Sequence, residues 1–325
     1  MARIIGFIIA LTLTLSLQAQ PAPTPIKIGS LALGTLNWEL AVIRSQGLDK
    51  AHNITLETQT LASPEASRIA LQGNSADIIV GDWIWVARQR VQGQDFTFVP
   101  FSSSHGALMA PPNSPIHTIA DLEGKRLGVA GGGLDKNWLL LKSAAQKNHQ
   151  LDIEKKATII FGAPPLLNQE LQSGKLDAVL NYWNHAAKLE ALGFRQILDG
   201  RQIQQALGIK TDVPALGYIF REGWAQQHEA GLKQFLSAAS EARQKICESD
   251  SVWNEVTPLT QETNPAILAA LRTHYCSGRV TSIDRGMADA AQQIFNEVEH
   301  SANASAQNKS EAKLPAGVFW NAVQH

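Results

Sequence analysis

The sequence predicts an α/β protein of two lobes joined by a hinge of two extended crossings. Three observations predict it. Roughly 300 residues follow an N-terminal export signal, more than one ordinary domain holds. Short β-rich runs alternate with helical patterns, which indicates mainly parallel sheets covered by helices. Two extended segments broken by small polar residues suit passages between lobes: the run through Ser102-Ser103-Ser104-His105, and Val213–Phe220.

The export signal is read from Arg3, an apolar run from Ile4 to Leu17, and Gln18-Ala19-Gln20 before a Pro-rich start. These are the three regions of a secretory signal peptide, with cleavage expected after Ala19. The run falls short of the ~20 apolar residues of a spanning helix. An uncleaved anchor is the alternative, because Leu17 sits poorly near a cleavage site. No Cys lies nearby for lipid attachment. Removing residues 1–19 removes Arg3 alone among the charges, so 28 Lys+Arg become 27 against 29 Asp+Glu, a formal charge of −2. So neutral a chain offers no basic field for nucleic acid and no polybasic membrane patch. No later segment is apolar and long enough for membrane insertion.

Taken in order, Ile26–Leu31 reads as the first strand, with a loop through Gly34 and a helix from about Asn37 to Gln46. Ile54–Leu61 is the next strand. Ser63-Pro64-Glu65 opens a helix with an N-cap Ser and Pro at the first helical position. Ala76–Val80 is a third strand, after which Asp82 caps a helix carrying Trp83 and Trp85. Phe96–Phe101 and Gly106–Ala110 flank the first crossing. Arg126–Ala130 ends in Gly131-Gly132-Gly133, and a helix begins near Asp135. Ala157–Gly162, a Pro-started helix to Ser173, and Leu176–Tyr182 complete another βαβ unit. After the second crossing the chain turns helical near 229–247, 265–275 and 283–299. Residues 301–317 read as a mobile linker, and Val318-Phe319-Trp320 as a docking apolar end. The expected organisation is a first lobe of 20–105 and 213–300, an inserted second lobe of 106–212, and a linker and tail of 301–325. Cys247 and Cys276 lack metal-site spacing; they form a disulfide in an oxidising compartment or remain two buried thiols.

Five motifs in order resemble the type II periplasmic solute-binding proteins, in the nitrate/sulfonate/taurine and thiamine-precursor branch. They are Ile26-Lys27-Ile28-Gly29; Leu71-Gln72-Gly73 with Ala76-Asp77-Ile78; Asp121-Leu122-Glu123-Gly124-Lys125-Arg126-Leu127-Gly128-Val129; Leu171-Gln172-Ser173-Gly174-Lys175-Leu176-Asp177-Ala178; and Leu192-Gly193-Phe194. The resemblance covers about residues 25–300. It implies a periplasmic clamshell that closes on a small molecule and docks on an ABC permease with a cytoplasmic ATPase. Gly81-Asp82-Trp83-Ile84-Trp85-Val86, Phe96-Thr97-Phe98-Val99-Pro100 and Gly131-Gly132-Gly133-Leu134-Asp135-Lys136-Asn137-Trp138 further resemble a subgroup associated with pyrroloquinoline quinone (PQQ). That likeness makes PQQ an expected bound ligand, with no cofactor required, in a protein expected to be monomeric.

Ligands of parallel sheets bind outside the carboxyl ends of the strands, which selects the candidate contacts. Gly132 and Gly133 permit close backbone approach, and the helix start beyond them attracts an anion. Lys136 in that first turn opposes the macrodipole by roughly 0.3–1 kcal/mol, which an anionic ligand would offset. Trp38 and Trp183 are the leading candidates for stacking on a planar ligand, with Trp83, Trp85 and Trp138 also near strand ends. Asn37, Asp82, Ser102, Ser103, His105, Asn181 and Tyr182 are the polar candidates, with Asp82 read first as an N-cap and His105 as a hinge hydrogen-bonder. Arg44, Arg88, Lys188 and Arg221 are the further cations. No zincin, nucleophile-elbow or paired-Cys pattern occurs, so the expectation is a binding protein, not an enzyme. The alternatives weighed are a sulfonate, nitrate or pyrimidine ligand, a thiamine-pyrimidine synthase, and an accessory protein delivering cofactor in the periplasm.

Overall fold

A computed structural model of the chain describes residues 23–282, 284, 286–302 and 312–320. The export signal at 1–19 lies outside the described residues, as does most of the 301–317 linker. The chain begins with β1 (Thr24–Leu31), α1 (Leu36–Ser45), α2 (Leu48–Ala51), β2 (Ile54–Leu61), α3 (Pro64–Gln72), β3 (Ile78–Gly81), α4 (Trp83–Val91) and β4 (Phe96–Ser102). It continues with β5 (Ala107–Ala110), β6 (Arg126–Ala130), α5 (Lys136–His149), α6 (Ile153–Lys156), β7 (Thr158–Gly162), α7 (Pro164–Gln172), β8 (Ala178–Asn181), α8 (Trp183–Ala191), β9 (Arg195–Asp199) and α9 (Gly200–Ala206). Then follow β10 (Leu216–Arg221), α10 (Glu222–Gln227), α11 (Glu229–Glu248), α12 (Asp250–Val256), α13 (Pro265–Ser277) and α14 (Met287–Ala302).

These strands form two five-stranded sheets, ordered β2-β1-β3-β10-β4 and β7-β6-β8-β5-β9. Each has three parallel strands beside an antiparallel crossing strand, β10 in one and β5 in the other. Two α/β lobes therefore share one topology. The repeated motifs explain how. Asp77 closes the turn into β3 by accepting from the Lys27 backbone N–H at 2.8 Å. Asp177 does the same before β8, accepting from the Arg126 backbone at 2.8 Å and from its guanidinium at 2.6 Å. Each aspartate locks the start of a third strand to the start of a first. Caps set the helix starts as the sequence indicates: Ser63 accepts from Ala66 N–H at 3.1 Å, and Asp82 from Trp85 N–H at 2.9 Å.

β4 is an edge strand, yet its residues are almost wholly buried. The C-terminal stretch covers it: Phe98 N–H donates to Val318 C=O at 2.8 Å and Trp320 N–H to Phe98 C=O at 3.0 Å. Phe319 packs on Trp83 and Phe98, and Trp320 on Phe220. Pro100 is tolerated there because the ladder with β10 shifts register beside it. Gly217 is required opposite, since a Cβ would lie 2.3 Å from the Phe98 ring.

Two expectations need correction. The sequence assigns 213–300 to the first lobe, but α14 packs on α5 of the second. Its buried stripe of Ala290, Ala291, Ile294, Phe295 and Val298 has helical spacing, which marks an apolar face without saying what it meets. Ser143 donates to Glu297 C=O at 3.0 Å, and Arg88 reaches from α4 to Glu299 at 2.6 Å, so α14 is tied to both lobes. Second, the helix expected over 283–299 extends to Ala302, into the stretch read as linker, while Val318-Phe319-Trp320 docks on β4. β9 was not expected as a strand.

Cys247 and Cys276 form a disulfide with Cα atoms 5.6 Å apart, tying the end of α11 to the end of α13. The loop it closes has a sequence separation of 29. Replacing both cysteines by serine is expected to cost about 3 kcal/mol. Urea unfolding of the variant, and of the native chain with reductant, should show matching losses.

Candidate functional site

The site is assembled around α1, whose first turn carries Trp38 and Glu39. Glu39 is 1% exposed. Its carboxylate accepts from Tyr218 Oη at 2.5 Å, Arg243 Nη1 at 3.0 Å and Tyr275 Oη at 3.1 Å. Burial pushes its pKa up, and Arg243 and the two hydroxyls pull it back only in part. The Arg243 guanidinium also lies over the rings of Phe101 and Tyr218. Tyr275 in turn packs on Trp38 at 5.3 Å between ring centroids and on Trp183 at 6.2 Å. Trp38 meets Trp183 edge-on at 6.1 Å and Trp253 at 5.7 Å. An aromatic cluster thus joins α1 and α13 to the first turn of α8.

Beside this cluster α13 packs along α8, bringing the lobes into contact. Lys188 of α8 pairs with Glu262 at 2.8 Å, and His274 of α13 with Glu190 at 2.7 Å. Between them lies a groove of about 350 Å³ with walls from both lobes. The first lobe supplies Leu33, Trp38, Leu259, Gln261, Glu262 and Leu271. The second supplies Asn168 and Gln172 from α7, and Asn184, His185 and Lys188 from α8. His185 is nearly buried, and burial, aided by the nearby Lys188 charge, depresses its pKa to about 3. It is therefore neutral near pH 7. The groove offers amides, a neutral imidazole and one ammonium, paired with the Glu262 carboxylate, against apolar walls; a solute with an acidic head and an apolar body would compete with that carboxylate for Lys188.

The residues selected from the sequence are distributed more widely. Trp38 lines the groove, and Trp183 stands behind it, 7% exposed. Both are packed on other aromatic rings. Trp83 and Trp138 lie in the lobe cores, against Phe319 and Phe161. Trp85 packs on Phe96 under the Arg68 guanidinium. Asn37 binds the turn after β1, accepting from Ser30 Oγ at 2.6 Å and donating to Leu31 C=O at 2.8 Å. Asn181 donates to Pro164 C=O at 2.9 Å and Asn168 Oδ1 at 2.8 Å. Asp82 caps α4 and lies 3.6 Å from Arg68.

The hinge residues are bonded within the hinge. Ser102 Oγ accepts from Ser104 N–H at 3.1 Å, and Ser103 N–H donates to Gly278 C=O at 2.7 Å. His105 Nε2 meets Asp212 Oδ1 at 2.8 Å, and Arg201 meets the other oxygen at 2.9 Å. Burial would raise the Asp212 carboxyl, but His105 and Arg201 hold it below the usual range. This link ties the first crossing to the residue that precedes the second.

At the glycine loop the helix start is occupied from within the chain. Asp135 Oδ1 accepts from Asn137 N–H at 2.8 Å and Asn137 Nδ2 at 3.0 Å, so the anion at the α5 N-terminus is the chain's own carboxylate. Burial raises the Asp135 pKa, Lys136 opposes this, and Asp82 adds to it. Gly131 (φ +82°) is needed because a Cβ would fall 2.4 Å from Tyr182 Oη. Gly132 is open and Gly133 exposed. The Lys136 charge thus lies close enough to favour an ionised Asp135. Among the cations considered, Arg44 bonds Thr58, Arg88 Glu299 and Arg221 Asp95; Lys188 alone lines the groove.

Sequence reasoning missed Asn168, Gln172, Asn184, His185 and Glu262. A signal existed: Asn168 and Gln172, like Asn184 and Lys188, stand four apart on helices that follow strand ends.

Comparison with known proteins supplies the family. A family model described as NMT1/THI5 like matches residues 38–250, more than half of the chain. The chain belongs to the NMT1/THI5-like family. The alkanesulfonate-binding protein SsuA from Xanthomonas axonopodis pv. citri, bound to MOPS, superimposes with a TM-score of 0.69 at 17% identity, covering 93% of this chain and 99% of its own. The periplasmic aliphatic sulphonate binding protein SsuA from Escherichia coli gives 0.67 at 18%, covering 89% and 96%. The desulfurization enzyme DSZB gives 0.55 at 16%, covering 90% and 94%. At these identities the likeness establishes the fold, the type II clamshell. No curated protein matches the chain by sequence. Among the described residues no helix is long and apolar enough to cross a membrane, and no group of His, Cys, Asp and Glu could hold a metal.

Two measurements check the site's electrostatics. Arg243→Met leaves Glu39 buried without its counter-charge and should cost about 3–5 kcal/mol at pH 8 by urea unfolding. Because the folded Glu39 pKa is raised, protonation favours the folded state; that contribution is complete below the ordinary carboxylate pKa and is lost as pH rises through the folded value. The variant's deficit should therefore shrink at pH 5. For His185 the sign is opposite. Its contribution is present above 6.5 and lost as pH falls from there towards about 3. His185→Gln should flatten the melting temperature across that interval.

Proposed function

We propose that this chain is an exported periplasmic solute-binding protein that holds a small organic monoanion, an aliphatic sulfonate, in the groove between α7, α8 and α13. It then delivers the solute to an ABC permease. The observation that carries this reading is the groove's composition. One ammonium, Lys188, paired with the Glu262 carboxylate, sits among neutral amides and His185, with Leu33, Trp38, Leu259 and Leu271 as apolar walls. That set matches one charged head and one apolar body. The family, and the sulfonate-binding proteins that share the fold, agree with it. PQQ carries three carboxylates and would need several free cations. Lys188 is the one cation that lines the groove, and Lys136 lies outside it. The sulfonate is therefore favoured over PQQ.

Calorimetric titration of the mature chain with ethanesulfonate, MOPS, nitrate and PQQ tests the reading. The sulfonates should bind, and Lys188→Met should weaken them by about tenfold or more. Tighter binding of PQQ than of any sulfonate would replace the proposed ligand.

A further inference from the structure

The groove's cation is matched by a carboxylate from the other lobe, and the two are built differently. Lys188 projects from α8, a regular helix whose ammonium also donates to Thr260 C=O at 3.3 Å. Glu262 sits in the irregular stretch 261–264 before α13, after Gln261 at a left-handed φ of +56°. Its backbone N–H donates to Thr260 Oγ1 at 3.2 Å, but its side chain has Lys188 as its ion-pair partner, at 2.8 Å. Both side chains keep some exposure, 19% for Lys188 and 24% for Glu262, so the carboxylate has a path to water. A second interlobe pair, His274 of α13 with Glu190 of α8, does not line the groove.

Resting on the sulfonate reading above, we infer that Glu262 is an internal placeholder for the ligand's acidic group. It occupies Lys188 until an anionic head displaces it into solvent. A partly buried ammonium left without a counter-ion is costly, and Glu262 prevents that cost while the solute is away. The consequence is discrimination. An anion must outcompete Glu262 for Lys188, so Glu262 lowers affinity for anionic solutes and leaves neutral ones of the same shape unaffected. Its removal should improve anion binding, the reverse of the loss expected from Lys188→Met.

The test is Glu262→Gln, with melting temperature confirming the fold. Calorimetry uses ethanesulfonate and the neutral ethyl methyl sulfone. The expected result is roughly fivefold tighter ethanesulfonate binding, with the sulfone unchanged. Unchanged or weaker ethanesulfonate binding by the variant, when the native chain binds it, overturns the placeholder and leaves the sulfonate reading intact. If neither protein binds any sulfonate, the sulfonate reading fails. The placeholder then stands or falls on a measurement without solute, the labelling rate of Lys188 by trinitrobenzenesulfonate, mapped by peptide mass spectrometry. Glu262→Gln should raise that rate several-fold, and an unchanged rate overturns the inference.

Discussion

The geometry of the site depends on one buried carboxylate. Glu39 is removed from water in the first turn of α1, where a lone charge would be prohibitive. Three donors from three other elements answer it: Tyr218 from β10, Arg243 from α11 and Tyr275 from α13. Because a half-satisfied network of this kind is worse than none, these elements must arrive together. Their arrival fixes Tyr275, which sets the packing of Trp38 against Trp183. The disulfide beside Tyr275 holds the end of α13 to α11 in the same place. The groove is what remains between elements so constrained.

The fold was legible because its signals are local. Strand-to-helix punctuation at Ser63 and Asp82 reports capping chemistry that acts within three residues. The family motifs were legible for the same reason, and they turn out to be stitches of the fold. Asp77 and Asp177 hold strand starts and lie away from the groove. A motif shared across the family therefore identifies the scaffold without identifying the solute. What the sequence left hidden is non-local. The stripe on α14 says that a face is buried, not that α5 covers it. Nor does Val318-Phe319-Trp320 announce that it will pair with the free edge of β4.

The candidate site was less legible than the fold, for two physical reasons. Tryptophans near strand ends suggest ligand platforms, but indoles are also the largest core fillers. Trp83 and Trp138 serve the lobe cores, and Trp38 lines the groove while packed on neighbours. The glycine loop before α5 suggests an anion site because a helix start carries free N–H groups. Asp135 satisfies that demand itself. An N-cap carboxylate and a bound anion answer the same electrostatic need, so the need alone cannot tell them apart.

The groove draws walls from both lobes, so a solute within it touches both, and its binding energy is available to hold them together. The same boundary is already bridged by Lys188–Glu262, His274–Glu190 and the Trp38–Trp183 contact. Contacts that hold the lobes together without solute reduce the gain that solute can add, because only a difference between states shifts an equilibrium. The aromatic contact is indifferent to a ligand's charge. Lys188–Glu262 is not, since an anion at Lys188 exchanges one interlobe bridge for another. If Glu262 yields Lys188 to an anion as proposed, selectivity for charge and the bridging of the lobes meet in a single ammonium, beside an aromatic cluster whose packing is indifferent to the ligand's charge.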